Sequence, residues 1–188
     1  MLEINLAADL DFRNRSSLPT SGTRLFAEYR NGFITNIDNP NYGKILSFAE
    51  GYLSFNTLLP ITFGLKGGGG YSYGEIPFYE QFTLGQNTYL KGFRNNRFTG
   101  TSMLFLQSEM RINLFGVDKI LVPLKVGALA FFNTGKIIQR NEDSKQWHNG
   151  YGFGLFVVPL REAFTFHTIF GFSEEESLLF EFGFGASF

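Results

Sequence analysis

Residues 178–188 read LLFEFGFGASF, and this stretch decides the fold class. Large apolar side chains alternate in it with small or polar ones. Successive side chains of a strand point to opposite faces, so this period of two indicates a β-strand and leaves no helical stripe. One face carries Leu178, Phe180, Phe182, Phe184, Ala186 and Phe188, and the other carries Leu179, Glu181, Gly183, Gly185 and Ser187.

The same alternation recurs along most of the chain. Segments with this pattern are 2–12, 23–34, 45–57, 61–73, 101–114, 123–135, 150–158, 164–173 and 178–188. They predict about nine strands, each close to the roughly 9–11 residues that a tilted membrane-spanning strand needs. No stretch reaches the roughly 18 apolar residues of a spanning helix, so no transmembrane helix is expected.

Composition narrows the classes of function. The 188 residues include 24 Phe, 8 Tyr and 22 Gly, which favours many strands with an aromatic face. Sixteen Lys and Arg nearly balance 17 Asp and Glu, which excludes a broad basic surface for nucleic acid. No cysteine is present, so disulfides and cysteine nucleophiles are excluded. With two histidines and no catalytic constellation, we expect no enzyme activity, metal or cofactor.

Two architectures compete for the alternating pattern. Soluble β-sandwiches have a dry core and strands of about five or six residues. In a membrane barrel the apolar face meets lipid and the polar face lines the lumen. The polar face here is too charged for a dry core. We therefore predict one antiparallel transmembrane β-barrel domain over residues 1–188, in contact with the lipid bilayer of a Gram-negative outer membrane. Charged residues expected to face its lumen are Arg24, Glu28, Arg30, Glu50, Lys66, Glu109, Arg111 and Lys125.

The longest connection, residues 74–100, reads GEIPFYEQFTLGQNTYLKGFRNNRFTG. Outer-membrane barrels have long external loops and short periplasmic turns, so residues 74–100 and 139–150 should face outward and Phe188 the periplasm. A long segment without regular structure in a compact fold is usually functional or folded in. We expect residues 74–100 to fold into the lumen.

Several short motifs occur in a telling order. They are FTLG at 82–85, LKGF at 90–93, RFTG at 97–100, SEMR at 108–111, FFNTG at 131–135 and a terminal strand ending in Phe188. Together they resemble the bacterial surface antigen barrels of the BamA/TamA superfamily. The resemblance spans essentially the whole chain.

The resemblance implies a latch between the long loop and the barrel wall. In that family, a Val-Arg-Gly-Phe/Tyr tetrapeptide folds into the lumen, and its arginine contacts acidic residues on the two following strands. Lys91, Gly92 and Phe93 stand in the tetrapeptide here, with Lys91 at the place of the arginine. Glu109 matches one acidic partner, and Asn133 the other.

Two departures should weaken that latch. Lysine lacks the bidentate fork of arginine, and the segment Asn133–Gly135 has asparagine where the family has Asp-x-Gly. Alternation independently places Glu109 and Asn133 on the lumen face. Two simpler interpretations stay open: Lys91 as a solvated loop cation, and Glu109 with Arg111 as an ordinary lumen-lining pair.

The resemblance also implies a function: an outer-membrane barrel that assists insertion or translocation of other β-rich proteins. A client strand would add to the edge of an opened seam, which is strand augmentation. Phe184 and Phe188 resemble the C-terminal signal that barrel-assembly machinery reads. The expected partners are therefore the bilayer, that machinery and client β-barrel proteins.

Alternatives remain at this stage. Bacterial barrels usually have even strand numbers, and family barrels have sixteen, so nine strands suggest the C-terminal half of a sixteen-stranded barrel. The pattern also allows a homo-oligomer, or a minimal barrel of about eight strands from Gly22 onward in which the preceding segment is an extra or partner-pairing strand. Functionally, the barrel could instead anchor or export an upstream phosphoesterase or patatin-type lipase domain, or be a passive small pore.

Four further expectations concern segments outside the latch. Arg94 and Arg97 should be ordinary loop side chains that bind nothing, and Ser173–Ser177 should form a solvated acidic hairpin tip. His167 should be hydrogen-bonded. The run Gly67–Gly70 should mark a bend or bulge, or leave room for the folded-in loop.

Overall fold

A computed structural model describes residues 2–33, 41–117, 124–140, 146–159 and 165–184. This part of the chain is built from antiparallel strands, which confirms the predicted all-β class. The strands are β1 (Leu2–Asp11), β2 (Gly22–Phe33), β3 (Asn41–Phe55), β4 (Ile61–Gly74), β5 (Phe82–Leu84), β6 (Phe98–Gly100), β7 (Ser102–Val117), β8 (Leu124–Ile138), β9 (His148–Pro159), β10 (Phe166–Ser173) and β11 (Leu179–Phe184). Within the same ranges, no helix has the length and apolar character to cross a membrane.

Nine of the strands form one sheet in the order β1-β2-β3-β4-β7-β8-β9-β10-β11. Each strand pairs antiparallel with its neighbour, so the sheet is a meander. β5 and β6 form a separate small hairpin within the connection from β4 to β7. The central strands β3, β4, β7 and β8 have 14 to 16 residues, longer than the expected spans. Hairpin pairing here continues beyond the length that a bilayer requires.

The sheet has two edges in the described part of the chain. There β1 pairs with β2 alone and β11 with β10 alone, and the sheet does not close on itself. Barrel closure and the number of strands in the barrel therefore stay predictions. β1 pairs with β2 over ten residue pairs, so the segment before Gly22 forms an additional strand of this sheet.

The two faces of the sheet differ as the alternation predicts. The outer face exposes large apolar side chains: Phe180, Phe182 and Phe184 are 62%, 59% and 69% exposed. Such a broad exposed apolar surface suits contact with lipid. The inner face carries the buried polar side chains Glu50, Lys66, Gln107, Glu109 and Asn133.

Two connections cover opposite ends of the inner face. Residues 75–101, which follow β4, bring Phe82, Leu84, Leu90 and Phe93 against Met103, Phe105 and Ile137; we call these seven buried residues the loop core. Residues 12–21, which precede β2, bring Leu18 against a second cluster. Its members are Leu129, Phe131, Phe156, Val158 and Ile169.

Candidate functional site

The connection of residues 75–101 is docked on the inner face. Leu84, Leu90 and Phe93 have no exposed surface, and Phe82 is 5% exposed. The expectation of a loop without regular structure was wrong, because it contains a 3-10 turn at Phe78–Glu80 and the β5–β6 hairpin. Local pairing satisfies backbone groups that docking removes from water.

Two glycines on the sheet make room for the loop core. A Cβ at Gly70 would lie 2.6 Å from Phe82 Cζ, and one at Gly135 would lie 2.8 Å from Leu84 Cδ1. The strand pairing is continuous through Gly67–Gly70 on both sides, without a bulge. The expected bulge is therefore not observed, and Gly70 is the residue of this run that makes space for the folded-in loop.

The tip of the loop fits against backbone rather than side chains. Gly92 has φ of +92°, in the left-handed region that favours glycine. A Cβ at Gly171 in β10 would lie 3.0 Å from the Gly92 Cα, and one at Gly150 in β9 would lie 3.0 Å from the Lys91 carbonyl carbon. We call Gly150 and Gly171 the glycine notch. Only a side-chain-free surface admits the tip this closely.

Lys91 is buried beside the notch, with 7% of its surface exposed. It is therefore not the solvated cation of the simpler interpretation. Its Nζ lies 5.6 Å from the ring centre of Phe131. Burial lowers the pKa of the Lys91 ammonium, while the nearby carboxylates of Glu109 and Glu181 oppose that shift.

Asn133 binds the backbone of the loop. The side chain is 1% exposed. In the amide orientation that satisfies its neighbours, its oxygen accepts from the Lys91 backbone N–H at 3.2 Å, and its nitrogen donates to the Phe132 carbonyl at 3.1 Å. An aspartate could accept the first hydrogen bond but, when ionised, could not donate the second. Asparagine is thus fitted to this position.

Glu109 is buried and pairs with Arg111. Its Oε1 lies 3.1 Å from Arg111 Nε, in the lumen-lining arrangement that the sequence left open. Arg111 Nη2 also donates to the Pro19 carbonyl at 2.6 Å. Glu109 therefore pairs with the arginine that holds the 12–21 connection, and its charge also acts on Lys91 of the loop.

The other predicted residues lie apart from this centre. Lys125 is exposed, and its position in the alternation of β8 places it on the inner face. It lines a small cavity together with Arg111. Phe184 is the last residue of β11 and points to the outer face. Phe188 lies outside the described residues.

Sequence reasoning missed Glu181 as a partner of the loop. Its Oε2 accepts from Gln86 Nε2 at 3.1 Å, and its Oε1 lies 3.5 Å from Nε2 of the buried His167. One signal could have found it, since Glu181 carries the only charge between residues 178 and 188.

Charged residues also hold the start and the end of the loop. Near its start, the carboxylate of Glu80 lies 3.5 Å from Lys44 Nζ and 3.8 Å from Arg30 Nη1. Near its end, the acidic hairpin tip is largely exposed, as expected, but Arg94 and Arg97, which were expected to bind nothing, make ion pairs with it. Arg97 pairs with Glu175, and Arg94 with Glu176. Alternation could not show that the acidic turn stands beside these arginines.

No cluster of three or more His, Asp or Glu side chains suited to a metal ion occurs in the ranges that the structure covers. The family model of the Omp85 superfamily domain matches residues 2–188. This is the BamA/TamA-type family that the motifs resemble. A search of curated proteins found no match.

Proposed function

The chain belongs to the Omp85 superfamily, and we propose that it forms part of an outer-membrane β-barrel that assists insertion or translocation of other outer-membrane proteins. The family consists of outer-membrane barrels of protein insertion and transport that are generally non-enzymatic. The role of this chain within that range, its clients and its own lack of enzyme activity are the proposed part.

The docked loop is the observation that carries the proposal. A passive barrel needs no connection buried by Leu84, Leu90 and Phe93 with its tip in a backbone notch. In our proposal Lys91, Gly92 and Phe93 form the moving side of a latch, and Glu109, Asn133 and Gly135 form its receiving side. Charge, a backbone hydrogen bond and steric fit each contribute one part of it.

Client recognition would occur at the edges of the sheet. Backbone groups along one side of β11 have no strand partner within the described residues, which is the surface that strand addition uses. We propose that the alternating aromatics ending in Phe184 and Phe188 are read by assembly machinery when this barrel is itself inserted.

A wide passive pore is less well supported. Both the loop and the 12–21 connection cover the inner face, from opposite ends. An open conduit would need that face to be lined by water. No observation favours the alternative of an anchor for an upstream hydrolase.

The function is tested by reconstitution. Liposomes containing the protein should accelerate folding of a urea-unfolded eight-stranded barrel about tenfold or more over empty liposomes, read as heat-modifiable gel mobility. Liposomes with an unrelated barrel of similar size are the control for membrane defects. Equal folding rates in all three preparations would contradict an insertase role.

A further inference from the structure

The acidic turn between β10 and β11 makes ion pairs with two arginines and a hydrogen bond with a histidine. The two arginines come from the docked loop, and the histidine is at the start of β9. The contacts are Arg97 Nε and Nη2 with Glu175 at 2.5 and 3.1 Å, Arg94 Nε with Glu176 at 2.6 Å, and His148 Nδ1 with Glu174 at 2.8 Å.

The third contact, between His148 and Glu174, is joined to the loop because His148 packs against two aromatic side chains of the loop. The imidazole of His148 stacks on Phe98 of β6, with ring centres 3.7 Å apart and planes 18° apart. Phe93 meets the same imidazole edge-on at 6.0 Å. Glu174 is thereby connected to the loop core through His148, although His148 belongs to the sheet.

The loop is attached differently to the two parts of the sheet. Its side chains pack on β7 and β8 through the buried apolar loop core, and Asn133 of β8 accepts a hydrogen bond from the Lys91 backbone. Its side-chain contacts with the β10–β11 hairpin are polar: the two arginine pairs and the hydrogen bond from Gln86 to Glu181. Arg94 and Arg97 are 73% and 49% exposed at their side chains. Exposed pairs are individually weak and are screened by salt.

We propose that Glu174–Glu176 form a charge clasp that ties the last hairpin to the loop. While the clasp is closed, the hairpin and the loop move as one body. When its charges are screened or removed, the acidic turn separates from Arg94 and Arg97, and the loop stays docked through its apolar core and the glycine notch. The position of the edge strand β11 thus depends on the clasp. This device does not require any client.

The rate of trypsin cleavage after Arg94 and Arg97 measures whether the clasp is closed, because both arginines belong to the clasp. The test compares the full chain in detergent micelles with the variant Glu174→Gln/Glu175→Gln/Glu176→Gln, with products identified by mass spectrometry. We expect cleavage at these two arginines to be about three- to tenfold faster in the variant, the range for several exposed pairs acting together. Equal rates would overturn the clasp.

Salt provides a second measurement that needs no substitution. From about 0.01 M to about 1 M NaCl the Debye length falls from about 30 Å to about 3 Å. Cleavage of the unmodified protein, normalised to a peptide substrate, should rise over this range, and cleavage of the triple variant should stay constant. A salt response that is the same in both proteins, or absent in the unmodified one, would contradict the proposal.

Two further variants separate charge pairing from general loosening. Glu75→Gln removes an exposed glutamate near the start of the same loop and should leave cleavage unchanged. Either single substitution, Arg97→Glu or Glu175→Arg, should speed amide hydrogen exchange of residues 93–99. The double variant, in which the two charges are swapped, should return that exchange rate to the slow value of the unmodified protein. If the charge-swapped variant shows no restored protection, the pairing is not what holds the loop.

Discussion

At the scale of single residues, the centre of the site is a buried carboxylate that pairs with Arg111 and acts electrostatically on the buried Lys91. Glu109 is 3% exposed, and Arg111 and Lys91 are 6% and 7% exposed. Removing one member of a buried charge set is costly, because it leaves the others uncompensated away from water. The three side chains therefore act as a unit, and their substitutions should not add.

The first prediction is a double-mutant cycle on Lys91 and Glu109. Glu109→Ala should cost about 3 kcal/mol of stability, because it leaves two cations in the site. Lys91→Ala should cost about 1–3 kcal/mol. The double variant should fall short of their sum by about 1 kcal/mol or more. The temperature at which the compact form is lost in gel-shift assays measures each value.

Matched controls decide what that cycle means. Lys91→Met keeps most of the side-chain volume and removes the charge, so it should behave like Lys91→Ala if charge holds the loop. Glu75→Ala, at an exposed position, should have almost no effect. Strictly additive losses for Lys91 and Glu109 would remove the electrostatic part of the latch.

At the scale of elements, the glycine notch explains why β9 and β10 carry glycine where the loop arrives. Gly150 and Gly171 come from two paired strands, and Gly92 of the loop lies between their backbones. Backbone-to-backbone approach needs the absence of a Cβ on all three residues. The notch therefore sets where the tip can dock.

The second prediction is that one methyl group in the notch dislodges the tip. Gly150→Ala should cost about 1–3 kcal/mol, as overpacking of a close contact does, and should raise hydrogen exchange of residues 90–93. Gly51→Ala in β3 is the matched control, because a Cβ there meets only Thr23 Cγ2 at 3.6 Å. If the two variants exchange alike, the notch does not hold the loop.

At the scale of the whole molecule, strand direction limits how the sheet can close. Neighbours alternate in direction across nine strands, so β1 and β11 run the same way. Pairing β1 with β11 would therefore be parallel, both within one chain and between two copies inserted in the same orientation. Antiparallel closure needs an odd number of further strands, such as the seven that the first part of a sixteen-stranded barrel would supply.

The third prediction uses the absence of cysteine in the chain. Leu6→Cys in β1 with Phe180→Cys or Phe182→Cys in β11 should form no disulfide, within a chain or between chains, in the folded protein. Phe170→Cys with Phe180→Cys, at a paired position of β10 and β11, is the positive control and should cross-link. Efficient cross-linking of β1 to β11 would favour direct closure or a homo-oligomer.

Much of this molecule could be predicted from its sequence. Alternation in residues 178–184 assigned Phe180 and Glu181 to opposite faces, and the motif order indicated the family before the family comparison confirmed it. The resemblance also brought Lys91, Glu109 and Asn133 to one region. It did not show that Asn133 binds the Lys91 backbone, because alternation predicts the face of a side chain and not the atom it meets.

The sequence by itself determined the strands, their two faces and the family, because side-chain alternation is a local property of an extended backbone. Only the tertiary structure decided which distant segments meet: Gly92 with Gly150 and Gly171, and the acidic turn with Arg94 and Arg97. Those contacts depend on the register of strands far apart in the chain and on how a long connection folds back over them. No periodicity encodes that choice, which packing and charge make together once the sheet has formed.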